Sequence, residues 1–532
     1  MQDTEEPVND NGKVTRRRFI QTAATAAASL TIVPRRVLGR GFQAPSDTVN
    51  VATVGVSGMG AVNTRAVMSQ NVVALCDVDF ALLDSRLAEW AKPPKPPANR
   101  STAPAPAPPP QPWRDFGPSK AQVAADARWP AQDSDATLQR FVTEQLPRVK
   151  KYRDYREMLE KQKDLDGIII ATPDHMHAVI ASNAMTLGKH VYVQKPLCWS
   201  VHEARHLAKK ARETKVVGQM GNQRHSADVS RRGVEYILNG ALGDIREVHV
   251  WTNRPWGFWP QGIPRPAALK TDAAQLPWNN RGVMQRLGAA MAGSTGAYPA
   301  PDTLSWDLFL GVAPQVDYHP LYHPFNWRGW VDWGQGALGD MGAHLMDFPV
   351  WALKLGLPTV IETETTPFNG VCYPNATTTL FEFPARQGMP PVKLSWYDGG
   401  LMPSDPDELE GETLDPAGGV LYVGKKAKLL HYTAGGRLLP NKKHNDYGPP
   451  KERLPRVPHN DHEMNWINAI RGKDQLSCPF DYAAHLTEIM LLGVVSLRAN
   501  SRLEYDAASG RVTNNLAAND FLTREYRQGW AL

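Results

Sequence analysis

The chain has 532 residues, of which 42% are hydrophobic, and carries a formal net charge of +5. This length predicts two or three domains with an ample core. The positive charge is scattered apart from an N-terminal Arg cluster, so the sequence shows no basic stripe suited to nucleic acid. The four cysteines lie far apart without a C-x-x-C pair, which predicts isolated core thiols rather than a disulfide framework or a metal site.

Residues 1–44 have the pattern of a targeting segment. Thr15 precedes three arginines and Phe19, and a mildly apolar, Ala-rich run extends over 22–33. This run is too short and too weakly apolar for a membrane span. The segment resembles a twin-arginine (Tat) export signal with cleavage between 38 and 44, and an ordinary basic tail is the alternative. Because the Tat route exports folded proteins, we expect a periplasmic or otherwise exported protein that acquires its cofactor before export.

The stretch from Val51 to Asp79 has the order of a dinucleotide-binding βαβ unit. An apolar run over 51–56 predicts a buried parallel strand, and a helical segment over 61–70 and a second strand over 72–76 follow. Between the first strand and the helix lies a turn that contains Gly55, Ser57, Gly58, Met59 and Gly60. In such a unit the glycines let the backbone approach a pyrophosphate, and the helix N-terminus supplies N–H groups.

Asp77 follows the second strand, about 20 residues after the turn, where an acid accepts hydrogen bonds from a ribose diol. It favours NAD over NADP, because a carboxylate there would repel a 2′-phosphate, and Asp79 adds a second negative charge. One position departs from G-x-G-x-x-G, since Ser57 stands where the second glycine belongs. Its hydroxyl could add a phosphate contact. A plain surface turn is the alternative, and the flanking strand and acid favour the nucleotide interpretation.

The rest of the first predicted domain, 47–220, alternates strands with helices. Helices are predicted at 80–90, 137–145, 155–162, 178–187 and 201–214, and strands at 167–171, 190–193 and 216–220. A Pro-rich stretch over 92–118 is predicted to be a surface insertion. The alternation predicts an α/β fold with a doubly wound parallel (Rossmann) sheet. Ligands bind beyond the carboxyl ends of such strands, where the turn, Asp77, the stretch 172–177 and Lys195 converge.

From 221 to 532 the pattern predicts a second, α+β domain. Strands at 245–252, 377–383, 392–397, 419–423 and 428–432 are separated by turns and few helices, which predicts a largely antiparallel open sheet. Two helices, over 461–471 and 482–500, are expected to pack where the two domains meet.

Two stretches carry side chains suited to catalysis. Lys195 follows a buried strand, which would bring its amine near a nicotinamide, and a surface lysine in a turn is the alternative. If 339–347 is helical, Asp340, His344 and Asp347 share one face. A carboxylate beside an imidazole orients it and raises its basicity, as general base catalysis requires. Otherwise Asp340 caps the helix and His344 is a core residue.

Aromatic side chains cluster in the second domain. Flat rings suit the apolar faces of sugars, and they suit loop packing and subunit contacts equally well. The tryptophans concerned are Trp251, Trp256, Trp259, Trp278, Trp306, Trp327, Trp330 and Trp333. His319 and His323 bracket prolines and are not expected to share a helix face, so no metal site is expected.

Together these motifs resemble the glucose–fructose oxidoreductase, inositol dehydrogenase and MocA (Gfo/Idh/MocA) family. The family's Glu-Lys-Pro matches the stretch 194–196 with Gln194 in place of Glu, its Thr-Pro-x-x-x-His matches 172–177, and its Asp-x-x-x-His matches 340–344. The resemblance covers about 48–532 apart from the Pro-rich stretch. It implies a Rossmann domain, and a C-terminal α/β domain whose open sheet often serves in homo-oligomer contacts.

The resemblance also implies NAD as the cofactor and assigns roles. His344 would be the general acid/base on a substrate hydroxyl, with Asp340 and Lys195 assisting. Gln194 removes a charge beside Lys195, which puts the ordinary ionisation of that lysine in doubt. The cofactor would contact the turn residues Gly55, Ser57, Gly58, Met59 and Gly60, together with Asp77, Thr172, Pro173, His177 and Lys195.

Three functions are compatible with these features. Because free NAD is scarce outside the cytoplasm, an exported enzyme is expected to retain its NAD through each catalytic cycle. The first function is an oxidoreductase on a sugar or glycoside hydroxyl, and the second is a redox-assisted glycoside hydrolase. The third is a non-catalytic sugar-binding protein, which Ser57 and Gln194 favour and an intact set of Lys195, Asp340 and His344 opposes.

Overall fold

The computed structural model describes residues 48–93, 113–255, 298–320, 322–432 and 435–532. The predicted signal segment, most of the Pro-rich stretch and three of the clustered tryptophans (256, 259 and 278) lie outside these residues. The helices are α1 (Met59–Ala66), α2 (Phe80–Trp90), α3 (Lys120–Asp126), α4 (Asp135–Arg140), α5 (Tyr155–Lys161), α6 (Asp174–Thr186), α7 (Val201–Thr214), α8 (Asp228–Leu238), α9 (Trp306–Leu310), α10 (Gly336–Leu345), α11 (Asp347–Ala352), α12 (Asn441–Tyr447), α13 (His462–Ile470) and α14 (Phe480–Ala499).

The strands form two sheets. The strands of the first are β1 (Asn50–Val54), β2 (Asn71–Cys76), β3 (Lys150–Tyr152), β4 (Gly167–Ile170), β5 (His190–Gln194) and β6 (Gly218–Gly221). Those of the second are β7 (Ile245–Thr252), β8 (Val360–Thr365), β9 (Thr377–Phe383), β10 (Val392–Tyr397), β11 (Gly418–Gly424), β12 (Lys428–Tyr432), β13 (Gly435–Leu439), β14 (Leu503–Asp506) and β15 (Arg511–Val512).

The first sheet has the strand order β3-β2-β1-β4-β5-β6, and every pairing in it is parallel. Its central strand β4 is buried along its whole length, as expected where helices cover both faces. The order reverses between β1 and β4, and at such a switch point a doubly wound sheet opens a crevice at its carboxyl edge. The predicted Rossmann fold is therefore confirmed.

The second sheet has the order β13-β12-β11-β7-β10-β9-β8-β14-β15. Its pairings are antiparallel except that of β7 with β10. Along β9 and β10, buried residues alternate with more exposed ones, so one face packs on the core and the other is less covered. The prediction of a largely antiparallel second sheet is confirmed.

Helices α13 and α14 both contact the parallel-sheet region, and α14 also packs against β8 of the second sheet. On α13, Glu463 accepts hydrogen bonds from Asn63 Nδ2 (2.6 Å) and Tyr192 Oη (2.9 Å) of the parallel-sheet region. On α14, Glu488 pairs with Arg205 of α7. The domain limits at 220 and 221 stay a prediction. Of the helices in the described ranges, only α14 is long and apolar enough to cross a membrane, and 83% of its apolar window is buried inside the protein.

One boundary near the site differs from the prediction. Helix α6 begins at Asp174, four residues before the predicted start at Ala178. Pro173 is the N-cap residue of this helix, with an extended ψ of 154°. Residues 174–177, of which all but Met176 are polar, therefore occupy the first helical turn rather than a loop, and all four are buried.

Candidate active site

A cleft of about 450 Å³ opens at the carboxyl edge of the parallel sheet. It is lined by the Gly-rich turn at one end and by side chains from α10 and the second sheet region at the other. Most of the predicted site residues line it: Gly55, Ser57, Gly58, Met59, Asp77, Thr172, Pro173, Lys195, Asp340 and His344. Gly60 and His177 are not among the lining residues.

The Gly-rich turn needs glycine at its first and last positions. Gly55 has a φ of +82°, and a Cβ there would lie 2.7 Å from the carbonyl oxygen of Ala171. A Cβ on Gly60 would lie 1.8 Å from the carbonyl oxygen of Gly55, so this residue lets α1 pack against the turn. By contrast, a Cβ on Gly58 would meet no atom within 4 Å, because this residue faces open space in the cleft. The turn is thus closely packed against backbone at Gly55 and Gly60 and open toward the cleft at Gly58.

Asp77 is held by the same turn. Its Oδ2 accepts hydrogen bonds from the amides of Val56 (2.7 Å) and Ser57 (3.3 Å), and its Oδ1 accepts one from the amide of Asp79 (3.1 Å). With two lone pairs on each oxygen, one acceptor position remains on Oδ1. Burial raises the pKa of Asp77, and the backbone hydrogen bonds offset part of that rise.

These features fit a dinucleotide. Helix α1 starts at the cleft with Gly58 as its N-cap and no side-chain cap, so its first N–H groups are available to a pyrophosphate. The open space before Gly58 accommodates the close approach of that group, and the remaining acceptor on Asp77 suits a ribose hydroxyl.

At the other end of the cleft, three cations surround Asp340. Lys195 Nζ donates to Asp340 Oδ1 (2.7 Å) and to its carbonyl oxygen (2.8 Å), and Arg254 Nη1 donates to Oδ2 (2.7 Å). Arg328 Nε lies 3.7 Å from Oδ1. Burial by itself raises the pKa of Asp340, but these cations outweigh it and hold the pKa well below its ordinary range. Asp340 is therefore a permanent anion that anchors Lys195, and it supplies the charge that Gln194 lacks.

His344 lies one turn along α10 from Asp340, but within the described structure no hydrogen bond joins the two side chains, and Asp340 is engaged by cations instead. The Nδ1 atom of His344 is buried and has no hydrogen-bond partner. Burial, with Lys195 nearby, lowers the pKa of His344 to about 3, so the ring is neutral at pH 7. The geometry therefore does not show a carboxylate paired with His344 that would raise its basicity. His344 does line the cleft, as the sequence predicted.

The side chains of His177 and Gln194 connect separate parts of the site through hydrogen bonds. The His177 ring lies between the carbonyl oxygens of Thr172 (2.8 Å from Nε2) and Pro196 (2.8 Å from Nδ1). It ties together the two loops that carry the family motifs, and at 1% exposure it is too deeply buried to touch a cofactor directly. Gln194 donates through Nε2 to Asn63 Oδ1 (2.9 Å), and Asn63 in turn donates to Glu463.

Sequence reasoning missed four residues that shape the site: Arg254, Arg328, Asp174 and Glu463. Asp174 lies in the stretch 172–177 that the sequence pointed to, but it was given no role. Burial raises its pKa to about 8, and Arg328 and Lys195 offset part of that rise. The two arginines lie outside any recognisable motif, and only the tertiary structure brings them to Asp340.

The tryptophan cluster is mainly core. Trp251, Trp330 and Trp333 are at most 1% exposed and pack among other apolar side chains. Of the described members of the cluster, only Trp327 lines the cleft. A broad sugar platform of these rings is therefore wrong for the described residues, because the sheet and loops bury the rings. Within the same ranges no group of His, Cys, Asp or Glu could hold a metal ion.

A segment of the second region covers the nucleotide end of the cleft. This cover segment comprises residues 303–320 and 322–328. The amide of Ser305 donates to the carbonyl of Val78 (2.8 Å), and the amide of Phe80 donates to that of Thr303 (3.1 Å). The His323 ring, which lines the cleft, contacts Asp79 Oδ2 through Nε2 at 2.9 Å.

The fold and the site define a dinucleotide-binding oxidoreductase architecture with a parallel and a largely antiparallel sheet. Residues 129–222 match the family model described as an oxidoreductase family with an NAD-binding Rossmann fold, and residues 291–363 match the model of its C-terminal alpha/beta domain. These two stretches are thus similar to the two domains of the Gfo/Idh/MocA oxidoreductase family, in agreement with the motifs, and the prediction of NAD as the cofactor is confirmed.

Known proteins share parts of the chain. Levoglucosan dehydrogenase of Pseudarthrobacter phenanthrenivorans is 29% identical over 107 residues, which are 20% of this chain and 27% of that protein. A glycosyl hydrolase family 109 protein of Shewanella pealeana is 34% identical over 84 residues, 15% of this chain and 18% of that protein. The chain spans between 18% and 35% of the length of the first curated relatives it matches.

Among solved structures, the WlbA dehydrogenase of Bordetella pertussis, in complex with NADH and UDP-GlcNAcA, superposes with a TM-score of 0.49 at 14% identity. The match covers 86% of this chain and 99% of that one.

Proposed function

We propose that this chain is an NAD-dependent oxidoreductase that acts on a hydroxyl of a sugar or glycoside and retains its cofactor between turnovers. The observation that carries the proposal is one continuous cleft with the nucleotide turn at one end and Lys195, Asp340 and His344 at the other. The similarity to levoglucosan dehydrogenase over 107 residues supports a carbohydrate substrate.

Lys195 and His344 would have different roles in the reaction. Bound NAD supplies the hydride acceptor for the carbon that carries the hydroxyl. The Lys195 ammonium, held by Asp340, would donate a hydrogen bond to the hydroxyl oxygen and stabilise the alkoxide as it forms. The neutral His344 would take the proton at Nδ1, which has no partner in the cleft. Because its pKa is low, this histidine depends on Lys195 to make the hydroxyl more acidic.

Retention of the cofactor is supported by the cover segment. Backbone hydrogen bonds at Ser305 and Phe80 and the His323–Asp79 contact fasten this segment over the nucleotide end. From the opposite direction, Trp530 lines the cleft, with the Arg156 guanidinium 4.4 Å from the centre of its ring. These contacts would have to open before the cover segment could move away from a bound nucleotide.

A redox-assisted glycoside hydrolase is the second candidate, and the family 109 relative favours it. In that reaction the oxidised ring carbon acidifies the neighbouring C–H bond, loss of that proton eliminates the aglycone, water adds, and the hydride returns. The cofactor is then regenerated in each cycle, which also requires retention.

Two measurements test these proposals. Protein purified without added nucleotide is denatured, and the supernatant is assayed for NAD. It is also incubated with 4-nitrophenyl glycosides without added NAD. We expect stoichiometric NAD, and either NADH absorbance at 340 nm with intact glycoside or release of nitrophenol.

NADH accumulation supports the oxidoreductase, and catalytic nitrophenol release supports the hydrolase. Absence of NAD from the denatured protein overturns retention. If, in addition, the protein reconstituted with NAD converts no member of a panel of glycosides and free sugars, the catalytic proposal fails.

We further propose that the chain is exported through the twin-arginine route, on the basis of the pattern at 15–33. A fusion of residues 1–44 to a folded reporter should reach the bacterial periplasm. Replacement of Arg16 and Arg17 by Lys should block export, and the same replacement at Arg35 and Arg36 should not. Equal export of both variants would contradict the proposal.

Self-association through the less covered face of the second sheet is also proposed, supported by the alternating exposure along β9 and β10. Light scattering coupled to size exclusion should give a multiple of the mass of one chain, which is 58.8 kDa when the signal segment is still attached. A monomer mass at micromolar concentration would contradict it.

A further inference from the structure

The substrate end of the cleft carries an excess of positive charge. Lys195, Arg254 and Arg328 all lie within 4 Å of a single carboxylate, that of Asp340. Their side chains are between 11% and 20% exposed, so water screens them only in part. The four groups together carry a net charge of +2, and they lie in the part of the cleft that a substrate would occupy.

Among the described residues that line this end, neither Asp174 nor His344 adds a negative charge that would cancel the excess. Asp174 lines the same part of the cleft, but with a pKa of about 8 its carboxyl group is mostly protonated at pH 7. His344 is neutral at that pH. A neutral sugar would therefore leave three cations around one anion in a site from which it displaces water, and that costs free energy.

Arg328 is held in a geometry suited to binding an anion. Its guanidinium lies over the rings of Trp327 (4.3 Å to the centroid) and Phe325 (4.6 Å), and Nη1 donates to the carbonyl oxygen of Phe325 (3.1 Å). Its contact with Asp340 is the longest of the three, at 3.7 Å. A planar guanidinium that is fixed by stacking loses little entropy when a planar carboxylate binds it in two-point fashion.

We propose that the substrate is an acidic sugar, a uronic acid or one of its glycosides, whose carboxylate is bound by Arg328 beside the Lys195–Asp340–Arg254 cluster. This inference rests on the proposed function and specifies its substrate class. The ring hydroxyl next to Lys195 is the reacting group, and the carboxylate sets the orientation of the ring without taking part in hydride transfer. A phosphate can also bind a guanidinium through two of its oxygens, so a phosphorylated sugar is the competing ligand that the binding experiment includes.

Binding is measured by calorimetry on the nucleotide-loaded protein at 50 mM salt, so that the result does not depend on turnover. Glucuronate, galacturonate and mannuronate are each compared with glucose, galactose and mannose, and glucose 6-phosphate is included. We expect at least one acid to bind about tenfold or more tightly than its neutral partner, since a charge-assisted bidentate contact is worth at least one decade in affinity. We expect Arg328→Gln to abolish that preference and Arg328→Lys to retain part of it.

Arg502→Gln is the matched control, because it removes the same charge from a half-exposed arginine that pairs with Glu362. It should leave the preference unchanged. The inference is overturned if no acid binds more tightly than its neutral partner, if glucose 6-phosphate binds more tightly than every uronate, or if Arg328→Gln leaves the preference intact. In the first of these cases, turnover of a neutral glycoside would show that the proposed function stands although this substrate class is wrong.

Discussion

The two ends of the cleft are built in different ways. The nucleotide end consists mainly of backbone: the Gly55–Gly60 turn, the start of α1, and Asp77, which binds the turn from only 21 positions away. The substrate end consists of side chains from distant parts of the chain. Lys195 and Asp340 are 145 positions apart, and Arg254 and Asp340 are 86 apart. The first end is thus a local structure, and the second exists only in the folded chain.

The largest effect is expected at the substrate end. His344→Asn should lower kcat by roughly 10²–10⁴-fold, because its ring Nδ1, which has no hydrogen-bond partner, is the proton acceptor that we propose. Nucleotide content should stay the same, since the turn is untouched. His202→Asn, at an exposed position on α7, is the control. Unchanged kcat in the first variant would remove His344 from the reaction.

Asp340→Asn should destabilise the fold itself. Removing the carboxylate leaves three close cations uncompensated, which costs about 3–5 kcal/mol for a buried network. Since the pKa of Asp340 is depressed, its contribution is present above the unfolded value of about 3.9 and is lost as pH falls below it. Urea unfolding at pH 7 measures the loss.

Asp84→Asn is the comparison for this variant, because Asp84 forms an exposed ion pair with Lys151. It should change the free energy of unfolding by at most about 1 kcal/mol. Equal effects of the two substitutions would show that the Asp340 cluster is not energetically coupled.

At the nucleotide end, Gly60→Ala should disturb the backbone. The new Cβ would lie 1.8 Å from the Gly55 carbonyl oxygen, so the turn must move. We expect a loss of about 1–3 kcal/mol of stability, as for overpacking, together with loss of bound nucleotide. Gly356→Ala, where a Cβ meets no atom within 4 Å, should affect neither. Retained nucleotide in Gly60→Ala would mean that the turn is not the binding element.

Asp174→Asn should change how stability depends on pH. The folded-state pKa of about 8 exceeds the unfolded value of about 3.9, so the folded chain binds the proton more tightly and stability falls as pH rises through that window. Asparagine does not titrate and removes this fall. We expect the variant to gain about 1–3 kcal/mol relative to the parent chain between pH 5 and pH 8 in urea unfolding. Parallel pH profiles would contradict a raised pKa.

The smallest effect is expected for Ser57→Gly. Ser57 lines the cleft, and its hydroxyl forms no hydrogen bond within the described residues. A contact from this hydroxyl to a phosphate would contribute about 1 kcal/mol. The rate of nucleotide release should rise a few-fold. Unchanged or slower release would mean that the hydroxyl contributes nothing.

Much of the fold was predictable from sequence. Helices α2 and α7 have the predicted bounds, and the two sheets have the predicted strand types, because burial on both faces or on one face leaves a direct mark on the hydrophobic pattern. The start of α6 was missed, because its first turn is polar and its burial depends on carbonyl partners for His175 and His177 elsewhere in the chain.

By itself, the sequence determined the nucleotide end, since a strand, a turn that requires glycine and a nearby acid are encoded within about 30 residues. It also named Lys195, Asp340 and His344 through their motifs. Only the tertiary structure decided what these residues do to one another. Asp340 pairs with cations instead of His344, and Arg254 and Arg328 join it although no local pattern marks them. The reason is physical: hydrogen bonding in a turn is short-range, whereas charge compensation depends on which distant side chains the fold buries together.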